Sequence, residues 1–170
     1  MNILALSGSL RAASENTRLL HALAQVAPAG MRVVVYAGLG ELPLFNPDIE
    51  LPNPPAVETL RAAINAADAV VIASPEYAHG VSAVIKNALD WMVGNESFVN
   101  KPVALLNAAP RATHAYLALR ETVTMMSARV IDDASLVLTQ PITGMTEDEI
   151  LCHPEHVHVL SRVIAGLRVK

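Results

Sequence analysis

The feature that most restricts this chain is an alternation. Short apolar runs of strand length recur between longer stretches whose apolar residues are spaced three and four apart. The runs lie at residues 3–6, 33–36, 69–73, 103–106 and 136–138, and most contain β-branched residues, which suit a pleated strand. Leu19, Leu20, Leu23 and Val26 trace a helical stripe after the first run, and Leu60, Ala63, Ile64 and Ala67 do so before the third. The clearest stripe is Val81, Val84, Ile85, Ala88, Leu89, Met92 and Val93. Leu117, Leu119 and Val123 mark a fourth helix, and Val157, Leu160, Ile164 and Leu167 a last one, with Pro154 near its start. Five strands alternating with five helices predict a doubly wound α/β fold, in which right-handed crossovers place helices on both faces of a parallel sheet.

Among five-stranded parallel sheets the expected strand order is the flavodoxin-like 2-1-3-4-5. The 170 residues suit one domain spanning 1–170, and 52% hydrophobic residues supply its core. Aromatic residues make up only 4%, so the core must be aliphatic, as strands buried on both faces require. The Pro-rich stretch 43–55 reads as a surface loop. A net charge of −4, with the twelve Lys and Arg scattered along the chain, offers no basic stripe, and nucleic acid is not an expected partner. Cys152 is the single cysteine and has no partner for an internal disulfide, so a reducing compartment, the cytoplasm, is expected. The N-terminus enters the first apolar run without a basic or long apolar leader, and no stretch reaches the roughly 18 apolar residues of a span, so no membrane association is expected.

In a sheet of this order ligands bind beyond the carboxyl ends of the strands, at the switch point between strands one and three. The loop after strand one reads Ser7-Gly8-Ser9-Leu10-Arg11-Ala12-Ala13-Ser14-Glu15-Asn16-Thr17. Its hydroxyl and amide side chains, one Arg and a following helix N-terminus suit a single phosphate. A plain turn with a Ser N-cap is the structural alternative. The loop after strand three, Ser74-Pro75-Glu76-Tyr77-Ala78-His79-Gly80, offers a restrained backbone and a ring along which a planar ligand can lie. Glu76 has an alternative use in complementing a helix N-terminus, and Trp91, at helical spacing, reads as packing or a subunit contact. A third polar loop, Asn107-Ala108-Ala109-Pro110-Arg111-Ala112-Thr113-His114, follows strand four at the same end.

Other nucleotide and phosphate devices are missing. There is no G-x-x-x-x-G-K-[ST] for a triphosphate and no G-x-G-x-x-G for a dinucleotide bound in the Rossmann manner. Ser7 and Ser74 stand where a receiver domain would carry acids, and Cys152 lies far from any phosphate loop in which a thiolate nucleophile would work. His153, His156 and His158 with Glu155 and Cys152 give no clean same-face ligand pair, because His153 precedes Pro154. They read as a solvated helix start, and no metal is expected.

Gly8-Ser9-Leu10-Arg11 with Ser14 and Asn16, then Pro75-Glu76-Tyr77 with Lys86-Asn87-Ala88-Leu89-Asp90-Trp91, resemble the NADPH-dependent FMN reductase family over nearly the whole chain. The resemblance implies a flavodoxin-like fold, bound FMN, and a dimer or tetramer. It also implies transfer of hydride from NADPH or NADH through FMN to a small acceptor such as a quinone or flavin, chemistry that belongs to the flavin and needs no catalytic side chain. It assigns Ser9, Arg11, Ser14, Asn16 and Thr17 to the FMN phosphate and Pro75, Glu76, Tyr77 and Ala78 to the isoalloxazine. Ala109 and Arg111 belong to the loop closing its other side, and Arg111, His114 and His79 are candidates for the nicotinamide phosphates or the acceptor. Trp91, Met92 and the fourth helix are candidates for a subunit interface. The chain departs from the common pattern at Ala78, where many members carry Asn, at Ser82-Ala83, where many carry Pro-Gly, and at Ala109, where many carry Ser. A flavodoxin-type electron carrier without nicotinamide oxidation is the competing reading, and an interaction module without flavin is a third. The modest acidity favours the reductase over a carrier, which would present a strongly acidic docking face.

Overall fold

The computed structural model describes residues 1–168. Strands β1 (Asn2–Ser7), β2 (Arg32–Val35) and β3 (Ala69–Ala73) alternate with helices α1 (Glu15–Val26) and α2 (Pro55–Ala66). A small antiparallel hairpin, β4 (Glu76–Tyr77) and β5 (Gly80–Val81), precedes α3 (Ala83–Val93), β6 (Pro102–Asn107) and α4 (Thr113–Met125). Two short strands, β7 (Arg129–Val130) and β8 (Leu136–Val137), and two helices, α5 (Glu147–Cys152) and α6 (Pro154–Arg168), complete the described chain. The main sheet runs β2-β1-β3-β6-β7, with β8 also paired to β6, and every pair in it is parallel. With the hairpin set aside, this is the expected 2-1-3-4-5 order.

Because successive side chains point to opposite faces of a strand, each central strand feeds two cores. Ile3, Ala5, Ala69, Val71, Ala73, Ala104 and Leu106 pack under α1, α5 and α6, while Leu4, Leu6, Val70, Ile72, Val103 and Leu105 pack under α2, α3 and α4. Both faces of the central strands are therefore dry, which accounts for their continuous apolar runs in the sequence.

Two elements differ from expectation. The fifth strand position is split between β7 and β8. Val130 pairs with Val103, yet Leu136 pairs with Leu106, so the edge chain takes up three extra residues in a 3-10 turn at Asp132–Ala134. At this break the Leu105 N–H donates to Ser135 Oγ (3.1 Å), and that hydroxyl donates to the Ile131 carbonyl (2.8 Å). One side chain thus replaces the missing ladder acceptor. The second difference is the sixth helix, α5, which Thr146 and Glu149 start with a reciprocal capping box. The start of α6 is also less solvated than its composition suggests: His156 is buried and stacks on His153 with ring centroids 4.2 Å apart. Neither ring nitrogen of His156 meets a partner among the described residues.

Two measurements follow from this packing. Ser135→Ala leaves the Leu105 N–H facing the interior without its acceptor, and we expect a loss of about 1–3 kcal/mol in urea denaturation. Burial pushes the His156 pKa down and charge on His153 adds to this, while the nearby Gln140 backbone, although outside hydrogen-bond geometry, and then Glu155 oppose it. The unfolded chain takes up the proton at the ordinary value of 6.5, so this contribution to stability is full above that pH and is lost as pH falls below it. His156→Phe should flatten the fall in melting temperature between about pH 7.5 and about pH 5.5. An unchanged slope would show that the buried imidazole does not set it.

Candidate functional site

Three loops meet at the carboxyl end of the sheet, and glycine determines how closely the first two approach. The Gly8 N–H donates to the Ala73 carbonyl at 2.7 Å, extending the β1–β3 ladder past the end of β1. A Cβ at Gly8 would stand 2.8 Å from both Ser74 Oγ and Ser82 Oγ and 2.9 Å from Ser74 Cα. No other residue fits without moving backbone.

The first loop is organised by its own hydroxyls. Ser7 Oγ and Thr17 Oγ1 share a 2.7 Å hydrogen bond, the Arg11 N–H donates to Ser9 Oγ at 3.3 Å, and Ser14 caps α1 by accepting from the Thr17 N–H at 3.2 Å. A helix start leaves its first N–H groups without intrahelical acceptors, so Glu15 and Asn16 present free amides beside Ser9 and the exposed Arg11. Asn16 is buried, and its Oδ1 has no donor among the described residues. Ser9, Arg11, Ser14, Asn16 and Thr17 are thus brought into one loop and the first turn of α1.

In the loop after β3, Ala78 and His79 occupy the two-residue turn of the β4–β5 hairpin with φ of 49° and 62°. Positive φ at both central positions is the type I′ geometry, which favours Asn-Gly and suits Ala poorly. Backbone conformation alone therefore favours Asn over Ala at position 78. Pro75 and Glu76 are half-buried, while Tyr77 and Ala78 are exposed at the rim. Glu76 does complement a helix N-terminus, but a distant one: its Oε2 accepts from the Ala115 N–H of α4 at 2.8 Å. The adjacent α3 is capped instead by Ser82 Oγ, which accepts from the Ile85 N–H at 3.3 Å, so Ser82 takes over the helix start at the unusual Ser-Ala position.

The third loop is shaped by buried Asn107, a residue to which sequence reading gave no role. Its Oδ1 accepts from the Ala109 N–H (2.9 Å), and its Nδ2 donates to the Ala112 carbonyl (2.7 Å). Ala109 and Arg111 are exposed. His114, at the start of α4, stacks on His79 with centroids 4.1 Å apart, joining this loop to the hairpin.

The Lys86–Trp91 motif works behind the site. Asn87 Nδ2 and Trp91 Nε1 both donate to the Pro43 carbonyl, at 2.9 and 2.8 Å, while the Phe45 N–H donates to Asn87 Oδ1 at 2.8 Å. The Phe45 ring meets Trp91 edge-on at 5.1 Å. Trp91 and Met92 are buried within the single chain. They are packing residues and offer no free surface to a second subunit.

A doubly wound sheet with polar loops converging at its switch point defines a flavodoxin-like protein. The NADPH-dependent FMN reductase family model matches residues 1–141, and the chain belongs to that family. An NAD(P)H-dependent FMN reductase of Pseudomonas aeruginosa is 34% identical over 145 residues, covering 82% of this chain and 78% of the relative. An NADPH:quinone oxidoreductase of Arabidopsis thaliana is 41% identical over 113 residues (63% of this chain, 57% of the relative), and a quinone reductase of Escherichia coli is 35% identical over 109 (62% and 58%). The aligned stretch thus spans less than two thirds of the two quinone reductases. In fold, the chain is similar to a flavoenzyme NAD(P)H:(acceptor) oxidoreductase of Paracoccus denitrificans, with a TM-score of 0.78 at 23% identity, covering 98% of this chain and 96% of that one.

The residues present fit a phosphate monoester on a polyol. Two hydroxyls, a guanidinium and free amides suit the phosphate, and the buried Asn16 Oδ1 suits a hydroxyl donor such as a ribityl group carries. Ala78→Asn should relieve the turn by roughly 0.5–1 kcal/mol, raising the melting temperature by about 1–4 °C. A lower melting temperature would mean that the residue is held by contacts beyond its turn.

Proposed function

We propose that this chain is a single FMN-binding domain that oxidises NADPH or NADH and reduces a small acceptor, a quinone or a flavin. The reading is carried by one observation: Gly8, packed on Ser74 and Ser82, joins the loop bearing Ser9, Arg11, Ser14, Asn16 and Thr17 to the loop bearing Pro75, Glu76, Tyr77 and Ala78. Membership of the NADPH-dependent FMN reductase family supports it.

FMN, when bound, supplies a centre that accepts hydride from the nicotinamide and returns the electrons to an acceptor. The chain's own work is binding and orientation. Arg11, the Ser9 and Thr17 hydroxyls and the first-turn amides of α1 hold the phosphate. Ser14 and Ser7 keep those groups in place. The hairpin and the Asn107-braced loop with Ala109 and Arg111 would line the isoalloxazine, where backbone N–H groups would favour the negative charge of a reduced flavin. Among the described residues no helix is long and apolar enough to cross a membrane. The exposed free thiol of Cys152 suits a reducing compartment, and we place the protein in the cytoplasm. A homodimer or homotetramer is part of the same reading, with Leu117 and Met125 of α4 and Val93 of α3 among the exposed apolar residues available to a second copy.

Anaerobic mixing of the FMN-loaded protein with NADPH, and separately NADH, should bleach the flavin absorbance near ~450 nm within the mixing experiment. Bound flavin that resists both nicotinamides would replace the reductase by an electron carrier. Light scattering should report a mass above that of one chain.

A further inference from the structure

At the outer edge of the sheet, β8 and the chain just after it form one wall of a cavity of about 680 Å³, and α6 forms the other. That volume lies within the range usual for small-molecule sites. The cavity shares no residue with the three loops of the candidate site, and its α6 wall lies beyond residues 1–141, the part of the chain that the family model matches.

The α6 wall is ordered along the helix. Glu155, His158, Val159 and Arg162 follow one another at helical spacing and share one face. Seven residues separate Glu155 from Arg162, which sets them two turns, about 10 Å, apart along the axis. Neither forms an ion pair, with the other or with any described residue. Thr139 Oγ1 donates to Glu155 Oε2 at 3.4 Å, which ties that carboxylate to its end of the groove. At the other end Arg162 offers the planar fork that suits a carboxylate, with the His158 ring one turn away. Val159, between the two charges on the helix, lines the cavity with Leu136 and the partly exposed Val137 of the opposite wall. The groove therefore has an anionic end, an apolar middle and a cationic end. Strand β8 has only two residues, so its edge gives an extended peptide too few amides to pair with, and a small molecule is the occupant that this groove suits.

We infer that the groove is a second small-molecule site for an elongated amphoteric compound, an ω-amino carboxylic acid. Its carboxylate lies on Arg162 and His158, its carbon chain on Leu136, Val137 and Val159, and its ammonium on Glu155. The inference stands whether or not the chain binds FMN.

The test is an NMR titration of the full, isotope-labelled chain with ω-aminocaprylate, using γ-aminobutyrate, octanoate and octylamine as controls. Amide shifts should concentrate at Val137, Thr139 and the first two turns of α6. The shorter γ-aminobutyrate cannot reach both charges and should bind more weakly. Arg162→Gln and Glu155→Gln are exposed substitutions, and matching melting temperatures confirm that the variants fold. Each should weaken ω-aminocaprylate roughly tenfold, as loss of a charged hydrogen-bonding partner does. Octanoate should lose affinity only in Arg162→Gln and octylamine only in Glu155→Gln, which separates the two ends. Absence of shifts in the groove at millimolar probe, or a loss confined to one of the two variants, would overturn the inference. So would displacement of the probe by FMN, which would place it among the loops of the candidate site.

Discussion

The structure at the switch point depends on one close approach, that of the Gly8 backbone to Ser74 and Ser82. Parallel strands β1 and β3 hydrogen-bond as far as Ser7 and Ala73, and Gly8 carries the ladder one residue further before the chains diverge. A side chain there would force apart the loops that follow β1 and β3. From this point the geometry spreads outward: Ser82 starts α3, α3 carries Asn87 and Trp91, and these hold residues 43–45 across the neighbouring surface. Glu76, on the far side of the hairpin, ties the same loop to α4.

Many polar residues at the rim serve the protein before they serve any ligand. Ser14 caps a helix, Ser7 and Thr17 bond one another, Glu76 satisfies an amide of α4, and Asn107 spans its loop from both ends of its amide. Such internal satisfaction makes a preorganised site, since groups already fixed lose little freedom when a ligand arrives. The side chains left outward, chiefly Arg11, Arg111, Tyr77, His79 and His114, are exposed and are where selectivity among ligands can be set.

Periodicity made most of the fold legible because the three central strands, β1, β3 and β6, are buried on both faces and the helices on one. It located β1, β2, β3 and β6 and the apolar faces of α1, α2 and α6, whereas the stripes for α3 and α4 each took in a residue that is exposed, Val93 and Leu117, and Val81 belongs to β5 ahead of α3. The edge strand was read as one piece because apolar content does not report a three-residue insertion, and only Ser135 hints at the repair. Helix α5 was legible in principle from Thr146 and Glu149 but has too few residues for a periodic stripe. At the site, composition singled out the three loops, yet the partners of Glu76, Asn87 and Trp91 lie 39 to 48 residues away, beyond any local pattern. Ala78 stands in the sequence only as a departure from the expected pattern, and its positive φ, invisible to any local pattern, shows that the position favours Asn on backbone grounds.

The divided edge has a consequence for how molecules of this protein meet. A β-sheet grows by adding a strand to a free edge, and a long flat edge invites that addition from any neighbour. Here the outer edge beside β6 offers two separate strands of two residues each, stepped by a 3-10 turn and joined to α4 by the Arg120–Asp132 ion pair. An incoming chain finds no continuous row of amides to zip along. That edge is thereby closed to runaway cross-β growth, which leaves the four-residue β2 at the opposite margin as the continuous free edge among the described residues.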